Sequence, residues 1–594
     1  MIASMTKYSF ILLSGTQNDL LEKLQEVGLV DITRSVKPVD KQSSGLLADV
    51  ERHRELVQAI GHIDFPEGMQ PAAIQGDLLT TAEQTVKLLE DLETGRKAAE
   101  KDAAARLPWG KFSSEKLQEL ADAGCPVYFH VVPAKSFKPE WSETAAMQVV
   151  SEADGKVYFV VAGPDILPGK VASPDGNHEE AVARLADLDA RIGEAKAVLL
   201  AVRDREDELE AESRKRLSDL DLYLAAQAAV PAAENTLVTL VGYAPTECEE
   251  AVTAACEDAG VYYLKDAAQV EDNPPISFRN NKFVRMFEVL TDMYGRPAYD
   301  GFDPTPFIAV FFLLFFALCM GDAGYGLVLI LVGLLLKKVD NFKSLAPLVV
   351  TLGIGTTVVG FFLHTFFSID IAQWKVFEPM KFLFLPDEIG GYAGGMVLSI
   401  IVGIVHLCLA MVVKAINAVK VKGFYASLGT LGWTLLIVGG IIVGGLALAG
   451  VLGKDLTKWI IIVIGVLSAL GIFVFNDPKR NKLANVGVGL WDTYNTATGL
   501  LGDVLSYLRL YALGLAGSML GMAFNDMGKM VLGDGSAWYL WIPFIVLVLL
   551  GHTLNIAMCA LGAFVHPLRL NFLEFFKNSG YEANGRNYNP LKKQ

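Results

Sequence analysis

The chain has 594 residues, six cysteines and a net charge of −15, and its length exceeds that of one ordinary domain. The acidic balance argues against nucleic acid as a partner, since phosphate binding requires clustered Lys and Arg. Cysteines without CxxC pairing or metal-ligand spacing fit a reducing compartment with no disulfide framework.

Hydropathy divides the chain sharply. Residues 1–300 are charged and mixed, and 304–576 is a succession of apolar runs. Two domains are expected, a cytoplasmic one at 1–300 and a polytopic membrane one at 301–594. The boundary falls in Tyr299-Asp-Gly-Phe-Asp-Pro-Thr-Pro306, where turn formers and prolines end one regime. The first residues hold a short apolar run containing Lys7 and no convincing cleavage site, which predicts a strand rather than a signal peptide.

In chain order, strand, helix and strand are predicted at 7–13, 19–27 and 28–33, forming a small α/β lobe. Helical stretches follow at 46–60 and 72–107, the latter ended by Pro108. Strands at 126–132 and 157–162 predict a second lobe. Residues 179–229 contain no proline and only Gly193 as a weak point, which predicts one helix of about 75 Å. So long and charged a helix needs a partner, and the earlier helical stretch, running outward, supplies it. A strand, helix and strand at 236–243, 247–259 and 261–264 return the chain to the first lobe. The expected cytoplasmic fold is two small α/β lobes joined by a long antiparallel helical rod; the alternative is one compact α/β domain with long surface helices. No GxxxxGK[ST] phosphate loop is present, which excludes ATP hydrolysis by a P-loop mechanism.

Apolar runs lie at 307–336, 345–367, 392–417, 427–452, 457–475, 485–530 and 540–576. The connectors at 337–343, 414–422 and 479–482 are basic and therefore belong on the cytoplasmic side. An even number of crossings must then precede Lys337. Run 307–336, about 45 Å as one helix, exceeds a core of about 30 Å, and Gly321-Asp-Ala-Gly-Tyr-Gly326 at its midpoint is read as a reversal. The expected total is eight membrane segments with both termini cytoplasmic. Asp322 at the far-side turn serves either as a cap or in ion handling.

Run 485–530 exceeds a single span, and its polar beginning is read as a sheltered lead into the helix bearing Arg509. A guanidinium keeps its charge, and at bilayer depth it needs protein, water or an opposite charge beside it. The alternative is a snorkelling or structurally paired arginine. Gly514, Gly517 and Gly521 give the same helix a small-residue face. In the last run His552, Asn555, Cys559, Gly562, His566 and Arg569 form one stripe, read either as interhelical hydrogen bonding or as a polar passage. A fixed arginine holds an approaching carboxylate ionised, so carboxylates arriving in turn on a rotating ring would each release an ion on one side and reload on the other.

At Ser506-Tyr-Leu-Arg-Leu-Tyr-Ala-Leu513, Ala563-Phe-Val-His-Pro-Leu-Arg-Leu570 with Glu574 beyond, the 321–326 turn and the junction from Asn280 to Pro306, the chain closely resembles the large membrane subunit of V-type and A-type rotary ATPases. The resemblance spans both halves. It implies a non-catalytic stator that forms ion half-channels and couples H⁺ or Na⁺ translocation to ATP hydrolysis or synthesis, without a cofactor or resident metal. It implies as partners a proteolipid ring bearing the ion-binding carboxylates, peripheral stalks and, through the complex, central-stalk and catalytic subunits, all at the cell membrane. Arg509 takes the place of the essential arginine and Arg569 that of the second one. Ser506, His552, Asn555, His566 and Glu574 join them as ion-path residues. Many eukaryotic relatives carry a carboxylate where this chain has Cys559, which leaves the exit path to His552, Asn555, His566 or water. The alternative function is a secondary ion transporter with a large regulatory domain, against which the absence of a paired inverted repeat counts. A membrane-anchored coiled-coil scaffold gives no reason for Arg509.

Overall fold

The computed structural model describes all residues except 36, 38, 67, 75, 165, 174–175, 233–235, 340–341, 476–481, 534–537 and 594. Much of the basic connector at 479–482 therefore lies outside the described residues. The chain divides into two compact units: one comprises Leu12–Gly28, Ile32–Leu240 and Leu591–Gln594, the other Met1–Ile11, Leu29–Asp31 and Val241–Pro590.

The unit built on Ile32–Leu240 contains helices α1 (Gln17–Val27), α2 (Lys41–Gly61), α3 (Leu78–Arg106), α4 (His178–Arg203) and α5 (Glu206–Gln227). Caps start them where the sequence changes character. Asp40 and Ser43 form a capping box on α2, as do Asn177 and Glu180 on α4, satisfying N–H groups that have no intrahelical acceptor. Helix α3 runs antiparallel to α4: Ala103 O meets His178 Nδ1 at 3.0 Å and Arg96 meets Asp189 at 2.5 Å. Helix α2 runs antiparallel to α5, with Asp49 beside Arg216 and Asp40 beside Tyr223. Leu56, Ile60, Leu89, Leu199, Val202 and Leu209 close the core among these four.

The single helix expected over 179–229 is broken at Asp204 and Arg205. Arg203 ends α4, and Glu206, Asp207 and Glu208 open α5; cations at a C-terminus and acids at an N-terminus are each favoured by the helix dipole. A four-stranded antiparallel sheet completes this unit in the spatial order Ala146–Ala153, Lys156–Ala162, Val127–Pro133, Lys170–Val171. Val132, Val157, Phe159 and Val161 form its core.

In the other unit, residues of the strand Met5–Leu13 pair antiparallel with Tyr262–Ala267, from Thr6 opposite Ala267 to Ile11 opposite Tyr262. The helix α6 (Glu249–Asp258) lies between the returning strands in sequence. The apolar helices are α7 (Thr305–Met320), α8 (Ala323–Leu336), α9 (Ala346–Phe362), α10 (Gly394–Lys422), α11 (Tyr425–Leu448), α12 (Lys454–Val474), α13 (Lys482–Ser506), α14 (Leu508–Leu532) and α15 (Trp541–Arg569). Among the described residues five helical runs are long and apolar enough to cross a membrane: α10, α11, α12, the run Asn485–Leu532, and Trp538–Ser579. Helices α7, α8 and α9 are apolar but shorter, at 16, 14 and 17 residues.

The reversal expected at the middle of run 307–336 is present. Gly321 caps α7 in the left-handed region at φ 57°, a conformation open to glycine because it has no Cβ. Phe287, Phe312, Phe315, Tyr507, Leu510 and Phe575 belong to one buried core linking α7, the kink before α14 and the end of the last helix.

Candidate functional site

Arg509 lies at a kink rather than in mid-helix. At Tyr507 the hydrogen bonds tighten to three-residue spacing, with Tyr507 N donating to Val504 O (3.2 Å) and Leu510 N to Tyr507 O (3.1 Å), and α14 starts one residue later. Such short 3₁₀ turns inside a helix mark a bend. The kink is clamped. Tyr507 is fully buried and its Oη lies 2.8 Å from His406 Nδ1. His406, itself buried, stacks on Phe575 at 4.8 Å and 8°. Gly403, about one turn before His406 on α10, leaves room for the tyrosine ring: a Cβ there would stand 2.3 Å from Tyr507 Cγ.

Arg509 stands between Tyr507 and Leu510, which share a buried core with Cys319 on α7 and with Ala563, Leu568 and Phe575 of the run that carries His566 and Glu574. Ser506 donates to Gly502 O at 3.0 Å. Three polar atoms in this group, Arg509 Nη1, His566 Nδ1 and Glu574 Oε2, are buried without a hydrogen-bond partner among the described residues. Buried polar groups are normally paired, so these three atoms depart from the usual pattern. Glu574 reaches it from a π-helical stretch, Leu570–Phe575, a local insertion that is frequent at functional sites. Arg569, the last residue of α15, is exposed.

The other half of the stripe is a hydrogen-bonded network. Asn525 Nδ2 donates to Phe367 O (2.9 Å), which turns its Oδ1 toward His552 Nε2 (3.0 Å). The imidazole therefore donates from Nε2 and accepts at Nδ1 from Tyr325 Oη (2.8 Å). Asn555 Nδ2 in turn donates to Tyr325 Oη and to Gly517 O, both at 2.8 Å, and Cys559 Sγ donates to Asn555 Oδ1 at 3.3 Å. His552 and Asn555 thus hold α8, α14 and α15 together. The glycine face of α14 makes this approach possible: a Cβ on Gly517 would stand 2.5 Å from Cys559 Sγ, and one on Gly521 3.0 Å from Asn555 Nδ2. Tyr325, His406, Tyr507 and Asn525 were not singled out from the sequence, because their partners lie on distant segments.

Asp322 is a cap. Its carboxylate is buried and accepts N–H bonds from Gly324 (2.8 Å), Tyr325 (3.1 Å), Phe367 (2.9 Å) and Ser368 (2.6 Å). The last two residues are left-handed, at φ 47° and 58°, a region costly for side chains of this kind. Asp322→Ala leaves four donors unmet, each worth about 1–3 kcal/mol when buried. The expected result is a clear fall in thermal unfolding temperature in detergent, with Asp322→Asn recovering part of it. Unchanged stability for Asp322→Ala would return the carboxylate to an ion-handling role.

The fold and site define a multi-pass membrane protein that keeps charged and polar groups among apolar helices. Residues 170–345 and 497–593 match the family model described as the V-type ATPase 116kDa subunit family. The chain is 33% identical over 357 residues to the A-type ATP synthase subunit I of Methanocaldococcus jannaschii, a match covering 55% of this chain and 50% of that relative. It is 24% identical over 623 residues to the V-type ATP synthase subunit I of Borreliella burgdorferi, covering 100% of both. A crystal structure titled as the cytoplasmic N-terminal domain of subunit I, homolog of subunit a, of V-ATPase covers 44% of this chain and 100% of its own, at 15% identity and a TM-score of 0.19, too low to bear on the fold. The family and its curated relatives support membership of the V/A-type ATPase subunit I family.

Proposed function

We propose that the chain is the non-catalytic membrane stator subunit of a V/A-type rotary ATPase, forming ion half-channels against a proteolipid ring and coupling H⁺ or Na⁺ movement to ATP hydrolysis or synthesis. The observation that carries this is the orphaned polar group set at Arg509. A permanent cation whose Nη1 is buried without a partner among the described residues, in a core where His566 and Glu574 also keep an unpartnered atom, suits an ion-bearing group that arrives from outside the chain.

Surface character supports the same reading. In the runs Asn485–Leu532 and Trp538–Ser579 only 22% and 17% of the most apolar window is buried, so Met519, Met558 and Leu561 remain exposed and available to a ring. Helices α7, α8 and α9, with the five longer runs, make the proposed eight crossings, and both termini are placed in the cytoplasm. The first 300 residues are assigned to the stator connection, with the antiparallel α2/α5 and α3/α4 pairs supplying a stiff rod between two lobes and peripheral stalks as its partners. The Asn555 and His552 network is assigned to holding one half-path together, and the Arg509 group to separating the two.

Affinity purification of the tagged chain from its own membranes tests the assignment. Co-isolation with P-loop ATPase subunits and a small proteolipid is the expected result. Recovery as a free homo-oligomer would favour a secondary transporter.

A further inference from the structure

Helices α7, α8 and α9 contain 16, 14 and 17 residues, or about 24, 21 and 26 Å at 1.5 Å per residue. A bilayer core is about 30 Å thick. Each helix therefore falls short by several ångströms, and a short span must be compensated by bilayer thinning or by flanking groups. At the end of the bundle where α7 stops, α8 starts and α9 stops, the chain continues into an aromatic segment, 371–384. It is anchored there: Phe377 and Phe384 lie 5.7 and 5.4 Å from Phe361, Trp374 lies 6.3 Å from Phe366, and Leu385 N donates to Phe362 O at 2.9 Å.

Residues Lys375–Leu383 form a 3₁₀ helix. With three residues per turn, side chains three apart share a face, so this helix has three distinct faces. Lys375, Glu378 and Lys381 form a charged one. Phe377, Met380 and Leu383 form the one on which Phe377 packs against α9. Val376, Pro379 and Phe382 form the third, where Val376 is 78% and Phe382 82% exposed. Among the described residues this third face is left open, and Leu327, Val358 and Phe362 on the neighbouring helices are exposed apolar side chains at the same end of the bundle.

We propose that segment 371–384 is an interfacial collar seated in the lipid boundary, supplying the apolar height that α7–α9 lack. Val376 and Phe382 enter the acyl region. The Lys-Glu-Lys face stays at headgroup level, the arrangement of helices that lie in a membrane interface. Beneath it, a cavity of 480 Å³ walled by Leu327, Thr357, Val358, Phe361, Trp374 and Phe377 takes a lipid acyl tail. The proposal rests on the reading of α7–α9 as membrane helices, and it needs no assumption about the ring.

The test is spin labelling of the chain within its assembled complex, reconstituted in vesicles of phosphatidylethanolamine and phosphatidylglycerol. Single labels are placed at Val376, Phe382, Glu378 and Val358, and collision rates with oxygen and with a water-soluble nickel chelate are compared. Labels at Val376 and Phe382 are expected to collide preferentially with oxygen, as at Val358, with Glu378 preferring nickel. Nickel preference at Val376 and Phe382 with oxygen preference at Val358 overturns the collar and leaves the membrane reading intact. Nickel preference at Val358 as well overturns both. Val376 and Phe382 are 78% and 82% exposed, so the variants are expected to fold.

Discussion

Arg509→Ala is expected to abolish ATP-driven ion uptake in vesicles while leaving the complex assembled. Among the described residues Arg509 Nη1 is buried without a hydrogen-bond partner. Its loss therefore breaks no hydrogen bond at that atom. What it removes is the counter-charge that keeps a passing ring carboxylate ionised. Such a carboxylate would stay neutral or ion-loaded and would not release its ion on the correct side. Arg509→Lys retains a charge but not the planar fork, and a desolvated lysine can give up its proton, so little transport should return. Subunit composition is checked in parallel with uptake. Near-normal coupled transport by an assembled Arg509→Ala complex would refute the half-channel assignment and make Arg509 a structural residue.

The parts of this design that are local in sequence are legible in the sequence. The 321–326 reversal could be read because glycine and a capping aspartate interrupt an otherwise unbroken apolar run. The glycine face of α14 could be read from spacing, although its partner, the Asn555–Cys559 part of α15, could not. The break at Asp204–Arg205 carries neither proline nor glycine, and only the charge order around the junction marks it. The strand Ala146–Ala153 was missed because its side chains are largely exposed or half-exposed, which erases the alternation that reveals a half-buried strand. The clamp on Arg509 was beyond reach for a different reason. Tyr507 and His406 stand 101 residues apart, and an isolated histidine in an apolar helix carries no sign of which distant hydroxyl will satisfy it. In the stripe on α15 His552 and Asn555 follow the hydrogen-bonding reading by cross-linking helices, and His566 keeps an unpartnered nitrogen.

Excision of residues 41–227, closed by a short flexible linker, is the second large expected effect. It would uncouple ATP hydrolysis from ion movement. The ends lend themselves to closure, since Tyr223 Oη hydrogen-bonds Asp40 and Arg34 pairs with Asp221. The deletion lies wholly within the unit built on Ile32–Leu240 and removes no residue of the unit that carries the apolar helices, so the Arg509 group should keep its geometry. If α2–α5 transmit torque resistance between the membrane part and peripheral stalks, the shortened chain should still reach the membrane and contact a ring, but ATP hydrolysis would turn the assembly without net transport. The measurement is the ratio of ions moved to ATP hydrolysed in reconstituted vesicles, with thermal unfolding of the purified shortened chain as the folding control. A folded, assembled variant with an unchanged ratio would show that the helical pairs bear no load, and the stator role of the first 300 residues would have to be abandoned.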